Sequence, residues 1–461
     1  MYLSMDYPAW IVGGVGPGWV IGLIATFHVI ISHFAVGGGI FLPFTEAWAR
    51  KNNRDDILDF LKKFSKFFLI LTNVFGAISG IGIWWAIGLI SPQATASLIR
   101  LFTFVWGAEW AVFLVEIISL IFYYYGWEKM EPKVHQTIGW IYAASAWLSL
   151  FTINGILTFM LTPGAWVENG QLLQGYFNPG FWPALVVRTL VSIACAGIYS
   201  TFVISRLNPD SSVRKELLAY TCKWLLPAYV LLVPAMIWYY AVLPTEVLGN
   251  LLSGLAGGVG TAAQGNMMFV SRTALLGLVA IITTGLAFFV SAYLNPREFT
   301  MRKSAVLLVG IALFIATFEY TREYIRKPYV VRGFMFSNGV PLKAITNKPL
   351  KRSFTAEMRF KPSDSTLGEQ MFVGQCMACH TMDGYRSLSK RLKGMDAKTI
   401  HESILLEMQK PGKENRYYKV MPPVIGTDEE LKALSDYLYT SIKKIEAQKA
   451  SAGDAAHAGA L

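Results

Sequence analysis

Cysteine is scarce, with four in 461 residues. So few exclude a disulfide framework. Two of them, Cys195 and Cys222, lie in or beside apolar segments and read as small buried hydrophobes. Charge is also scarce, at 15% against 54% hydrophobic residues, which excludes an ordinary soluble domain. The opening "MYLSMDYPAW" carries no positive n-region, so no cleaved signal peptide is expected. There is no internal repeat. The net charge of +11 taken alone suits nucleic acid, but many basic residues sit in loops between apolar stretches, where they set membrane orientation. A membrane is therefore the expected partner, and nucleic acid is not.

Eight apolar stretches are long enough to cross a bilayer, near 17–47, 65–91, 99–125, 138–162, 181–205, 223–244, 267–293 and 304–322. Most exceed the minimum length, so tilt or overhang is expected. The loops alternate. "ARKNNRDD", "GWEKMEPK", "RLNPDSSVRKE" and "NPREFTMRKS" are basic, whereas "SPQATAS", "TPGAWVENGQLLQGYFNPG" and "PTEVLGNLLSGLAGGVGTAAQGN" contain no Lys or Arg. The positive-inside rule puts the first group in the cytoplasm and the N-terminus outside. Eight crossings return the chain to the outside.

The expected fold class is all-α: an eight-span transmembrane helical bundle followed by a small extracytoplasmic domain. The bundle occupies residues 1–329. A polar, basic linker on the outer membrane surface covers 330–363, and a compact helical unit covers 364–445. Its last helix opens with "TDEE", an N-cap followed by acidic first-turn residues. The Ala/Gly-rich tail, 446–461, reads as disordered.

Within the C-terminal unit, "VGQCMACHT" contains C-x-x-C-H. Two thiols and a histidine in that order tether a haem and ligate its iron, here through Cys376, Cys379 and His380. A zinc or redox site is the blander reading of C-x-x-C, but there is no second cysteine pair, and His380 completes the haem signature. Met421 follows in "YYKVMPPVIG", ahead of the final amphipathic helix. This arrangement resembles a class I cytochrome c over residues 364–445. One covalent haem c is expected, with His380 and Met421 as axial ligands. Closing both positions suits electron transfer. Attachment of c-type haem outside the cytoplasm agrees with the orientation read from the loops.

Ionisable groups inside spans are expensive and usually functional. They are His28 and His33 in the first span, Glu109 and Glu116 in the third, Arg188 in the fifth and Arg272 in the seventh, with Glu319 and Glu323 closing the eighth. At 1.5 Å per residue, His28 and Glu109 lie at similar depth, about ten or eleven residues from the outer face. Glu116 is two turns deeper on the face of Glu109, as a proton relay requires. A lone span histidine is more often a hydrogen-bonded packing residue, and a lone Glu can pair with an Arg. The shared depth and the covalent haem favour a membrane haem protein. His33 reads as a bystander. His135, placed in a loop, and His401, placed in an exposed helix, receive no role.

"GLIATFHVIISH", "WGAEWAVFLVEIISLIFYYYGWEKM" and "FEYTREYIRKPY" resemble subunit I of cytochrome bd oxidases, over about residues 15–332. The resemblance implies that His28 is an axial ligand of the gas-reducing haem, with Glu109 as a contact at that haem's iron and Glu116 as a proton path. "EYIRKPY" stands for the family's E-Y-G-R-Q-P-W. It gives Glu323 as ligand of a high-spin b haem and Arg326 as a further cofactor-binding residue, while "SRTALLG" gives Arg272. It further implies one or two membrane haems of b or d type, a second membrane subunit, and the prokaryotic cytoplasmic membrane as location. The departures matter as much. The ligands of the family's quinol-side haem are replaced by Arg188 and Ala274, the quinol loop is short, and the cytochrome c unit replaces a ninth span.

The expected function is an oxidase-like catalytic subunit. It would receive electrons through haem c, from a periplasmic cytochrome c or another electron-transfer subunit, and reduce oxygen or nitric oxide in the membrane. A non-catalytic electron conduit within a larger respiratory complex accounts for the same ligands. A structural anchor for a soluble cytochrome leaves the buried Glu and His residues unexplained. Binding of carbon monoxide separates the first reading from the other two.

Overall fold

A computed structural model describes residues 10, 12, 14–255, 262–358, 364–418 and 420–458. Among them are eight helices long and apolar enough to cross a membrane: Pro17–Lys51, Asp55–Ile90, Thr103–Tyr125, Pro132–Phe159, Phe181–Ile204, Ser212–Ala241, Met268–Leu294 and Met301–Arg326. All eight expected spans are present, and the differences lie at their ends. The second span starts at Asp55 because "DDILDFLKKF" is amphipathic, burying Ile57, Phe60, Leu61 and Phe64 on one face. The fourth begins at Pro132, where a proline at the first helical position costs no hydrogen bond. His135 therefore lies in the first turn of a helix, not in a loop, and it is 1% exposed.

The chain divides into two compact units. One contains Ile24–Gly82 and Leu101–Ile325, which is most of the bundle. Here the first span is central, and its Gly37-Gly38-Gly39 run makes that possible. A β-carbon would lie 1.8 Å from the Ser192 carbonyl at Gly37, 2.4 Å from the Phe68 ring at Gly38, and 2.3 Å from the Tyr142 ring at Gly39. Three successive glycines thus admit the fifth, second and fourth spans in turn, the close approach that membrane helices use in place of hydrophobic burial.

The other unit contains the chain's first residues to Leu23, Ile83–Arg100 and Arg326–Leu461. The start of the first span belongs to it through Gly14, whose carbonyl accepts from the Tyr385 N–H at 3.1 Å, and through Trp19, whose ring meets Tyr385 edge-on. The core of this unit includes Met371, Phe372, Ile400, Ile425, Leu431, Leu434 and Leu438. Helix Leu367–Gln375 supplies Met371 and Phe372, and helix Asp428–Ala458 the three leucines. The second of these runs past Ile445 to Ala458, so residues 446–458 are helical where a disordered tail was expected. His401 is half-buried rather than exposed, in a π-helical turn, His401–Leu405.

The segment expected as a linker has structure of its own: strands Tyr329–Val331 and Met335–Phe336, helix Leu342–Thr346, and Val340 and Phe354 in the core. Glu430 binds it. With Thr427 it forms a capping box, Thr427 Oγ1 accepting from the Glu430 N–H at 3.2 Å and the Glu430 carboxylate from the Thr427 N–H at 2.9 Å. The same carboxylate accepts from the Ser353 hydroxyl, the Phe354 N–H, and the N–H and hydroxyl of Thr355. Burial pushes the Glu430 carboxyl up, but these donors outweigh it and hold the group below the usual range. A depressed folded value stabilises above the ordinary glutamate range and is lost as pH falls through that folded value. Glu430→Gln is expected to cost about 1.5–3 kcal/mol and to remove this part of the acid sensitivity. Proteolysis of residues 340–358 as a function of pH reads it; equal resistance in both forms at neutral pH would contradict it.

Candidate functional site

The C-x-x-C-H residues follow helix Leu367–Gln375, and the methionine segment is tied back to that helix. Gln375, the residue before Cys376, donates through Nε2 to the Ile425 carbonyl at 2.8 Å and accepts from the Ile425 N–H at 2.9 Å. Gln409 Nε2 donates to the Gly426 carbonyl at 2.8 Å. "MPPVIG" is thus clamped from two sides in the same core as Cys376, with Met421 packed against that core. His380 Nδ1 lies 3.0 Å from the Arg386 carbonyl. A carbonyl only accepts, so Nδ1 carries the hydrogen and Nε2 presents its lone pair. Burial pulls the imidazole down to about 4, which keeps it neutral, the form that ligates iron. Burial, then Cys379, pushes the Cys376 thiol up to about 12. A redox dithiol needs the opposite shift. Cys376 and Cys379 are unbridged. The donor set fits a covalent haem.

In the membrane, His28 faces the second span just after a π-helical segment, Ile70–Gly76. Its Nδ1 lies 3.1 Å from Ser79 Oγ. That hydroxyl has the Phe75 carbonyl at 2.6 Å and the Gly76 carbonyl at 3.0 Å as acceptors for its own hydrogen, so it accepts from His28, and the Gly76 backbone is a further hydrogen-bond partner of the ring. A β-carbon on Gly80 would lie 3.2 Å from His28 Cε1, so the glycine keeps space beside the ring. An imidazole oriented by hydrogen bonds, with a cleared flank, fits a haem iron. Glu323 is half-buried near the end of the eighth span, with Arg326 buried one turn on. The neighbouring Arg322 leaves Nη1 buried with no hydrogen-bond partner, a cation that a haem carboxylate would satisfy.

The two glutamates of the third span are both bonded to the fourth. The Ser149 hydroxyl donates to Glu109 Oε1 at 3.2 Å, and the Tyr142 hydroxyl lies 3.4 Å from Glu116 Oε1. Among the described residues no hydrogen bond joins His28 to Glu109. The structure instead brings together His33, Arg188, Glu319 and Arg322. Glu319 accepts from Arg322 at 2.8 Å and pairs with Arg188 at 3.5 Å. His33 donates from Nδ1 to the Val29 carbonyl and lines a small cavity with Arg188, Phe318 and Glu319. The bystander of the sequence thus sits beside an ion-pair cluster. Arg272 is exposed and Ala274 half-buried in the seventh span. Arg322 went unnoticed in the sequence, although its i, i+3 spacing from Glu319 was readable. Also missed was a buried group of Glu46, Tyr123 and His135, which joins the first, third and fourth spans.

Residues 18–239 match the family model described as cytochrome bd terminal oxidase subunit I. The solved structure of bd oxidase from Geobacillus thermodenitrificans superposes with a TM-score of 0.56 at 18% identity, covering 70% of this chain and 90% of that one. No curated protein sequence matches. The membrane part is therefore similar to a bd oxidase subunit I, with the helical fold of a bd oxidase.

Proposed function

We propose that this chain is an oxidase-like catalytic subunit of the prokaryotic cytoplasmic membrane that takes electrons at a covalent haem c and reduces oxygen, or nitric oxide, within the bilayer. The observation that carries it is the hydrogen-bonded orientation of His28 against Ser79, with Gly80 keeping space beside the ring. Bound haems supply electron transfer and the gas-binding iron. The chain's own residues do the rest. Cys376 and Cys379 anchor the haem c, and His380 and Met421 close its axial positions. His28 and Glu323 hold one or two haems of b or d type, with Glu109, Arg272 and Arg326 beside them. Glu116, bonded to Tyr142, holds a proton on the path from the cytoplasm.

Arg188 stands where the resemblance places a haem ligand, and it is committed to Glu319. Quinol is accordingly not the direct reductant, and the donor is a periplasmic cytochrome c or another electron-transfer subunit. The grouping of the first span's start with the C-x-x-C-H segment supports a haem c unit on the side of the N-terminus, the periplasmic side by the loop charges. A second membrane subunit is expected beside the bundle.

A reduced-minus-oxidised spectrum with and without carbon monoxide tests this. Carbon monoxide should shift a membrane haem and leave the haem c bands in place. A spectrum indifferent to the gas would favour the electron conduit.

A further inference from the structure

The third and fourth spans run antiparallel, and their polar contacts recur at a fixed interval. Glu109 meets Ser149, Glu116 meets Tyr142, and Tyr123 meets His135. Each step of seven residues down the third span is matched by seven back along the fourth. Seven residues are two turns, so each set lies on one helix face, with rungs about 10.5 Å apart.

The third rung is the most fully built. His135 and Glu46 are 1% and 0% exposed. His135 Nε2 lies 2.9 Å from the Tyr123 carbonyl, so Nε2 carries a hydrogen. Nδ1 lies 2.9 Å from Glu46 Oε1. That contact needs one hydrogen, either on the ring as imidazolium against carboxylate, or on the oxygen as carboxylic acid against neutral imidazole. The pair therefore holds one proton that can sit on either partner. The Tyr123 hydroxyl donates to Glu46 Oε2 at 2.9 Å, and Arg50, partly exposed at the end of the first span, donates to Oε1 at 2.7–2.8 Å. These are the titratable and charged groups facing the pair. The rings of Tyr123 and Trp127 flank His135, each at 4.3 Å, and Trp127 spends its N–H on Ser65. One turn from Glu116 toward this rung, the buried Ser119 supplies a hydroxyl.

We propose that the Glu46–His135 pair is the proton-loading site at the cytoplasmic end of this seam, taking up a proton near Arg50 and passing it by way of Ser119 and intervening water to Glu116. The proton moves without a change of covalent bonding: the pair is left one proton poorer, Glu116 one richer, and the pair reloads from the cytoplasm. The inference rests on the reading that protons are drawn inward to membrane haems, but it does not require that the acceptor be oxygen.

The test is proton uptake on anaerobic reduction of the full-length holoprotein in vesicles, followed by a pH-indicator dye on the cytoplasmic face. His135→Gln and Glu46→Gln should slow uptake at least about tenfold, with haem spectra unchanged, and Ser119→Ala should slow it less. If His135→Gln does not fold, Tyr123→Phe, which keeps the ring packing and frees Glu46 of one donor, should shift the pH at which uptake is half as fast. Uptake at the wild-type rate in the folded variants, with only the unfolding temperature lowered, would make the group a structural tie and overturn the proposal. Oxygen consumption by the wild-type chain is measured separately. Slowed uptake without oxygen consumption would sink the oxidase reading and keep the loading site; oxygen consumption with unaltered uptake would do the reverse.

Discussion

His28→Ala is expected to remove one membrane haem and with it carbon monoxide binding and oxygen turnover, while the haem c and the haem at Glu323 remain. The expectation follows from hydrogen-bond bookkeeping. Ser79 has one hydrogen, and the Phe75 and Gly76 carbonyls compete for it, so the serine accepts from His28 and fixes the ring. A histidine inside a bilayer costs free energy unless its ring nitrogens find partners, and "GLIATF" and "VII" around it offer few. A haem iron would supply one. Ser79→Ala should keep the haem but loosen the ring, weakening retention of the haem in detergent. Haem content is read from a pyridine haemochrome assay beside the carbon monoxide spectrum. Full haem content and an unchanged gas spectrum in His28→Ala would remove the oxidase reading and leave the conduit.

What the sequence made legible follows the range of each signal. A run of apolar residues long enough to cross a bilayer is local, and all eight spans were readable from it. C-x-x-C-H is equally local. Span ends were less readable where charge is interleaved with buried residues. Lys62 and Lys63 mask the apolar face of Ile57, Phe60 and Phe64, and Glu131-Pro132 resembles a loop but starts a helix. That second misreading hid His135. The seam was half legible: the seven-residue interval is present in both spans, but which two helices share it is settled only by packing. The segment 330–363 looked like a linker because it is polar. Residues 353–355 of it are held by Glu430, distant in sequence, whose carboxylate gathers donors from Ser353, Phe354 and Thr355.

The cluster around Glu319 shows the same limit, since each of its charges is costly alone and acceptable only together. Glu319 is 8% exposed and Arg188 6%, and the glutamate is the member that touches both arginines. Removing one partner of a buried ion pair leaves an uncompensated charge, at a cost of about 3–5 kcal/mol. Glu319→Gln is therefore expected to destabilise the bundle by about that amount, because it strands Arg188 and leaves Arg322 only the charge of Glu323 nearby. Arg188→Leu should cost less, since Glu319 keeps the two-point contact from Arg322, through Nε at 2.9 Å and Nη2 at 2.8 Å. Unfolding in detergent, followed by thermal loss of helical circular dichroism, ranks the two. The ranking has a functional side: where the resemblance places a haem ligand, this chain has a cation whose partner is on the eighth span, four residues before Glu323. The ion pair thus ties the fifth span to the helix that carries a proposed haem ligand, and Glu319→Gln should also lower the occupancy of the Glu323 haem. Equal stability of Glu319→Gln and the wild type would show that the arginines find other partners and that the cluster does not hold this part of the bundle.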